Sequence, residues 1–249
     1  MEAEGEHEFH DIVESVGERF QNHPLDLVNE DMLHPRVVDK FNEKLSTRYL
    51  SARINTEWRD WNIKWKKELW DEMDSKELGE VSRLRTEVYI QDKEEEINPK
   101  KNYFDIVLFD DAQERLELLC KSRGPANWFS RENDVELVAE IKHSKTSDEK
   151  DFFRPQKGVA DIRQLSKFSG TDIERVFVFL NHYPINHYTD QNRSKDWWDN
   201  LKENLENEPL DSPVIVYYIP RKYSTDFDLS IQKKIIRKTE DGISLETFD

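Results

Sequence analysis

Tyr103-Phe104-Asp105-Ile106-Val107-Leu108-Phe109-Asp110 and Val135-Glu136-Leu137-Val138-Ala139-Glu140-Ile141-Lys142 are the two runs on which the reading of this chain turns. Both are short, apolar and rich in β-branched or aromatic residues, the composition of buried strands. Each nevertheless carries an acid inside its apolar run, Asp105 in the first and Glu140 in the second. An unpaired charge is costly in such a place. Side chains two apart on a strand share a face, so Glu140 and Lys142 point together and Ile141 points away. If the two strands pair with Asp105 near Glu140, two carboxylates and an ammonium converge.

Such a group has a chemical use. Mg²⁺ is a hard cation that keeps several waters and binds through only one or two carboxylates. In that role Asp105 and Glu140 are the metal ligands, with a backbone carbonyl such as that of Ile141 completing the set, and Lys142 positions water or neutralises a phosphate. The bland alternatives are a solvent-facing Glu-x-Lys pair and an Asp that opens a turn. The burial expected of both acids favours the chemical reading.

Asp105 followed by Glu140-Ile141-Lys142 resembles the signature of the PD-(D/E)xK nuclease superfamily, with Phe104 standing where that signature has Pro. Arg85-Thr86-Glu87-Val88-Tyr89 resembles the first core strand of its archaeal-type and resolvase-like branch, which often bears a Glu. Lys157 to Phe168, with Lys157, Asp161 and Leu165 in register, resembles the helix after the Glu-x-Lys strand. The similarity spans about residues 80–220. It implies a restriction endonuclease-like α/β fold, a mixed β-sheet core flanked by helices, and Mg²⁺- or Mn²⁺-dependent hydrolysis of phosphodiesters, DNA before RNA. By the same resemblance Asp105, Glu140 and Lys142 are catalytic, and Lys157 and Gln164 contact phosphates or orient the attacking water. Lys145, in the polar loop that leaves the Glu-x-Lys strand, is placed to contact nucleic acid. Glu87 either joins the metal site or faces a basic neighbour. Glu30 either supplies a further acid or favours the positive end of the helix that follows it.

Composition bounds these readings. Seven Trp, thirteen Phe and eight Tyr in 249 residues supply core material, while charged residues make up 36% of the chain. No phosphate-binding glycine loop occurs, and no apolar run approaches the ~20 residues of a membrane span. The acidic start lacks the pattern of a signal peptide, and one cysteine, Cys120, cannot form an intrachain disulfide. These features point to the cytoplasm and away from membranes. A homodimer is one assembly open to such a chain.

The net charge of −16 opposes nucleic-acid binding at first sight. Its distribution matters more. Residues 1–31 hold ten acids and one base, 142–169 hold seven bases against four acids, and 221–238 hold six bases against two acids. A local basic field can bind nucleic acid on an acidic protein. The alternative reading is a catalytically inactive, nuclease-like protein whose acidic surface mimics nucleic acid or serves as an interaction module.

Periodicity orders the remainder. Residues 1–79 read as a helical N-terminal extension: an amphipathic helix over 1–22, a second with Pro35 in its first turn, and a Trp-striped third over 56–73. Residues 80–220 read as the nuclease-like core. Its strands are 84–91, 103–110, 135–142, 175–180 and 213–219, with helices over 157–169 and 196–207. Residues 110–134 read as a long connection in which 115–121 is either strand or short helix. Residues 221–249 read as either a basic C-terminal hairpin, with its turn at Asp241-Gly242, or a basic tail.

Overall fold

The structure, a computed structural model, describes residues 4–23, 35–37, 39–40, 49–54, 80–91, 103–110, 115–119, 127–131, 135–143, 158–168, 172–182, 193–222 and 230–248. The Trp-striped segment 56–73, Glu30, Lys145, Lys157 and Cys120 lie outside the described residues.

Three central strands form an antiparallel meander. They are β3 (Leu84–Gln91), β4 (Tyr103–Phe109) and β7 (Val135–His143). From β7 the chain continues through α2 (Gly158–Lys167), β8 (Glu174–Asn181), α3 (Arg193–Leu205) and β9 (Val214–Pro220). β8 and β9 add parallel to β7, as strands joined by helical crossovers do. β10 (Gln232–Thr239) and β11 (Gly242–Thr247) close this side as an antiparallel hairpin. Gly242 has φ +114°, a conformation that glycine alone adopts readily.

The connection between β4 and β7 builds the other side of the sheet. Residues 115–119 are a strand, β5, which decides the open choice between strand and helix. β6 (Asn127–Arg131) lies parallel to β3, and β5 lies beside β6. β1 (Tyr49–Ile54) and β2 (Glu80–Ser82) extend the sheet further. Among the described residues the sheet has eleven strands in the order β11-β10-β9-β8-β7-β4-β3-β6-β5-β1-β2. The expected mixed α/β sheet flanked by helices is therefore present, and its outer strands are additional.

Helices cover both faces, so the central strands read as continuous apolar runs and not as alternations. Alternate residues still divide between the faces. Val138, Phe177, Phe179, Val216 and Tyr218 pack with Val159, Ile162 and Leu165 of α2 and Trp197, Leu201 and Leu205 of α3. Leu137, Ala139, Ile141, Val176, Val178, Ile215 and Tyr217 pack with α1 (Glu4–Asn22), through its Phe9, Ile12, Val13, Val16 and Phe20. The N-terminal helix thus lies on the core sheet, and β1 joins that sheet's far side.

Polar contacts fix α1 in place. His10 Nδ1 lies 2.6 Å from the Tyr217 hydroxyl and its Nε2 lies 2.6 Å from Glu174 Oε1. Gln21 Nε2 donates to the Pro220 carbonyl at 3.0 Å. Gly17 lets the helix approach closely: a Cβ there would lie 2.9 Å from Cδ1 of both Ile219 and Ile231. Those atoms are flexible chain ends that can give way. Gly17→Ala should therefore change stability by less than ~1 kcal/mol, because gained helix propensity offsets the tighter contact. Gly17→Phe should lift α1 and cost about 1–3 kcal/mol in a denaturant titration. Equal stability of the two variants would contradict this packing.

Candidate active site

Asp105 and Glu140 meet because of strand register. The β4–β7 ladder runs Leu108↔Leu137, Val107↔Val138, Ile106↔Ala139. One step further along the same register, Asp105 faces Glu140. Both are buried, at 8% and 5% exposure. Asp105 Oδ2 accepts a hydrogen bond from the Ile141 N–H at 2.8 Å. A side-chain carboxylate thus takes a backbone donor just past the last paired residues, and this bond fixes the orientation of the acid.

Glu140 shares its sheet face with Val138 and Lys142, the face covered by α2. The Lys142 ammonium lies 3.4 Å from both Asp105 Oδ2 and Glu140 Oε2. It also lies 3.9 Å from Asp161 Oδ2 in the first turn of α2. One lysine therefore serves three carboxylates drawn from three elements.

The electrostatics follow from this crowding. Burial pushes Glu140 up to about 9, and the neighbouring Asp105 charge adds to the shift. Lys142 pulls the other way, while a hydrogen bond to Asp105 and the more distant Asp161 push upward again. Burial and the facing Asp105 therefore favour the protonated form of Glu140 at neutral pH. Two facing carboxyls in low dielectric resist ionising together.

The donor set suits a hard divalent cation: two buried carboxylates held in place, with the Lys142 ammonium beside them. Mg²⁺ needs no more protein ligands than this. Among the described residues no three His, Cys, Asp or Glu side chains come together as a metal cage. Asp105 and Glu140 could hold such an ion with water and a carbonyl filling the rest of its shell.

The other expected residues divide into groups. Glu87 lies on β3 between the pairs Thr86↔Ile106 and Val88↔Phe104, and hence beside Asp105's strand position; its side chain is not among those described. Gln164 lies one turn beyond Asp161, and its amide donates to the Tyr103 carbonyl at 3.1 Å, which ties α2 to the start of β4. Asp161 was not expected in the cluster. An acid in a first helical turn ordinarily reads as a complement to the positive helix end. The available signal was its spacing from Leu165 and Phe168, which places it on the inward stripe.

The basic run of β10 differs from its expected open field. Lys233 lies 3.7 Å from the centre of the Phe248 ring and 3.9 Å from Glu14. Lys234 lies over Trp198, and Arg237 pairs with Glu246 at 3.2 Å. Lys238 donates to the Glu206 carbonyl at 2.6 Å. Lys233, Lys234 and Lys238 thus join the hairpin to α1, α3 and the turn after α3, while Arg237 pairs within the hairpin. Among the described residues no helix is long and apolar enough to cross a membrane.

No family model and no curated protein sequence matches the chain. Among solved structures it is similar to NucC of E. coli MS115-1 in its cAAA-bound form, at 9% identity and a TM-score of 0.45, over 96% of this chain and 81% of that one. A likeness this slight carries no weight for the chemistry.

The paired acids set a pH dependence. Glu140 titrates at about 9 in the folded chain against 4.5 for an unperturbed glutamate. Between those values the folded chain binds more protons than the unfolded chain, so stability falls as pH rises. In divalent-free buffer, the melting temperature of wild type should fall more steeply between about pH 5 and about pH 9 than that of Glu140→Gln. Equal slopes would show that Glu140 does not hold the proton.

Proposed function

We propose that this protein is a divalent-metal-dependent nuclease that hydrolyses phosphodiester bonds, in DNA before RNA. The observation that supports the reading most is the convergence of Asp105, Glu140 and Lys142 at one end of the β4–β7 ladder. Two carboxyls and an ammonium gathered in a largely buried position are costly to a structure that does not use them. The resemblance of their order and spacing to the PD-(D/E)xK signature points to the same chemistry.

Asp105 and Glu140, with the Ile141 carbonyl, would hold Mg²⁺ or Mn²⁺. When bound, such an ion acidifies a water and offsets charge on a phosphoryl oxygen. The chain's own residues do the rest. The Ile141 N–H keeps Asp105 in one orientation. Glu140 would serve as a ligand in its carboxylate form, its proton passing to solvent. Hydrolysis adds a water oxygen to phosphorus and breaks the bond to the leaving sugar oxygen. Lys142, the most exposed of the three, orients that water and places positive charge beside the phosphoryl oxygens as negative charge builds there.

Glu87 and Glu30 are proposed as accessory acids. Lys157, Gln164 and Lys145 are proposed contacts to the nucleic-acid backbone. With the β10 cations engaged within the protein, few phosphates are neutralised, so binding should weaken only modestly with salt. A cytoplasmic location and a homodimer belong to the same proposal.

A second reading has one observation in its favour. The net charge of −16, together with the engaged cations of β10, suits an acidic mimic of nucleic acid. Such a protein would need no metal.

The test is incubation with linear, supercoiled and single-stranded DNA in Mg²⁺ or Mn²⁺. Wild type should cut at least one of them. Asp105→Asn and Lys142→Ala should each lower the rate by about a hundredfold or more, the scale of losing a transition-state charge partner. Cutting that survives both substitutions would remove these residues from the reaction. Absence of both cutting and Mn²⁺ binding in wild type would favour the mimic.

A further inference from the structure

Lys142 stands between carboxylates that belong to different parts of the molecule. Asp105 and Glu140 lie opposite each other on neighbouring strands, and Asp161 comes from α2. α2 is held to the sheet by buried Val159, Ile162 and Leu165 and by the Gln164 bond to Tyr103. Asp161 is thus a fixed point. Lys142 is the movable part, with a four-carbon stem and a side chain 28% exposed.

The ammonium now occupies a place 3.4 Å from both inner acids, the carboxylates that would hold a divalent cation. An ammonium and a divalent cation repel, so both cannot occupy that place. Asp161, 3.9 Å from the same nitrogen, is the carboxylate toward which Lys142 can withdraw.

We infer that Asp161 is a positioning residue that receives the Lys142 ammonium when a divalent cation takes Asp105 and Glu140. Asp161 then keeps the lysine near the reacting phosphate without leaving it on the metal's carboxylates. The inference rests on the metal-dependent reading above and adds to it a role for the helix after the Glu-x-Lys strand.

The test is a double-mutant cycle on Mn²⁺ affinity, measured by calorimetry on the full chain in wild type, Asp161→Asn, Lys142→Met and the double variant. Asp161→Asn alone should weaken Mn²⁺ binding about tenfold, within the ordinary range of coupling between sites. With Lys142 already replaced by Met, Asp161→Asn should change affinity by less than about twofold. Asp161→Glu, which keeps the carboxylate, should restore most of the loss and shows that the position tolerates change.

An equal loss in both backgrounds would make Asp161 a direct partner of the metal and overturn the inference. So would no loss in either. Both of those results leave Mn²⁺ binding by wild type intact. A wild type that binds no Mn²⁺ would overturn the metal reading itself, and the inference with it.

Discussion

The repulsion between two buried carboxyls, Asp105 and Glu140, is the constraint on which the site depends. Neither acid is accommodated by its own strand. Each sits within an apolar run, and each faces the other where the β4–β7 ladder ends. The fold relieves the strain in three ways: a proton on Glu140, a backbone donor from Ile141 and an ammonium from Lys142. A divalent cation would relieve it more completely.

The architecture around the acids holds them in this arrangement. α1 packs on one face of the central strands, and α2 and α3 pack on the other. With both faces covered, the two acids are held largely out of water. Arg83 ties β3 to its neighbours, through a bond from Nε to the Phe109 carbonyl at 2.9 Å and an ion pair with Glu136 at 2.8 Å. These bonds lie at the far end of β4 from Asp105, close to the irregular pairing at Leu108/Phe109. Register at one end of the strand thereby sets which residues oppose each other at the other end.

Much of this was legible in the sequence because the central strands are buried on both sides. Continuous apolar runs located β4, β7, β8 and β9 to within a residue or two, and three- and four-residue spacing located α1 and α2. The acids were legible for the same reason, since a charge stands out inside Ile-Val-Leu or Leu-Val-Ala. The outer strands were harder to see. β6 is Asn-Trp-Phe-Ser-Arg, too short for alternation to show, and its parallel pairing with β3 is a long-range contact that no local pattern encodes. β1 does alternate, through Leu50, Ala52 and Ile54, but lies between stretches that read as helix. The β10 lysines illustrate another limit. Composition counts charges, and only packing shows that Lys233 and Lys234 lie against aromatic rings. Asp161 was hidden because a first-turn acid has a local explanation that suffices without the sheet.

The most direct measurement of the central claim is the number of protons released when Mn²⁺ binds. Calorimetry at pH 7 in buffers of different ionisation enthalpy gives that number without any substrate. Metal ligands must be deprotonated, so a cation that takes the Asp105–Glu140 pair should release about one proton in wild type and almost none in Glu140→Gln. Binding with no proton release would contradict the protonated Glu140 of this account, and the same release from both proteins would place the cation away from these two acids.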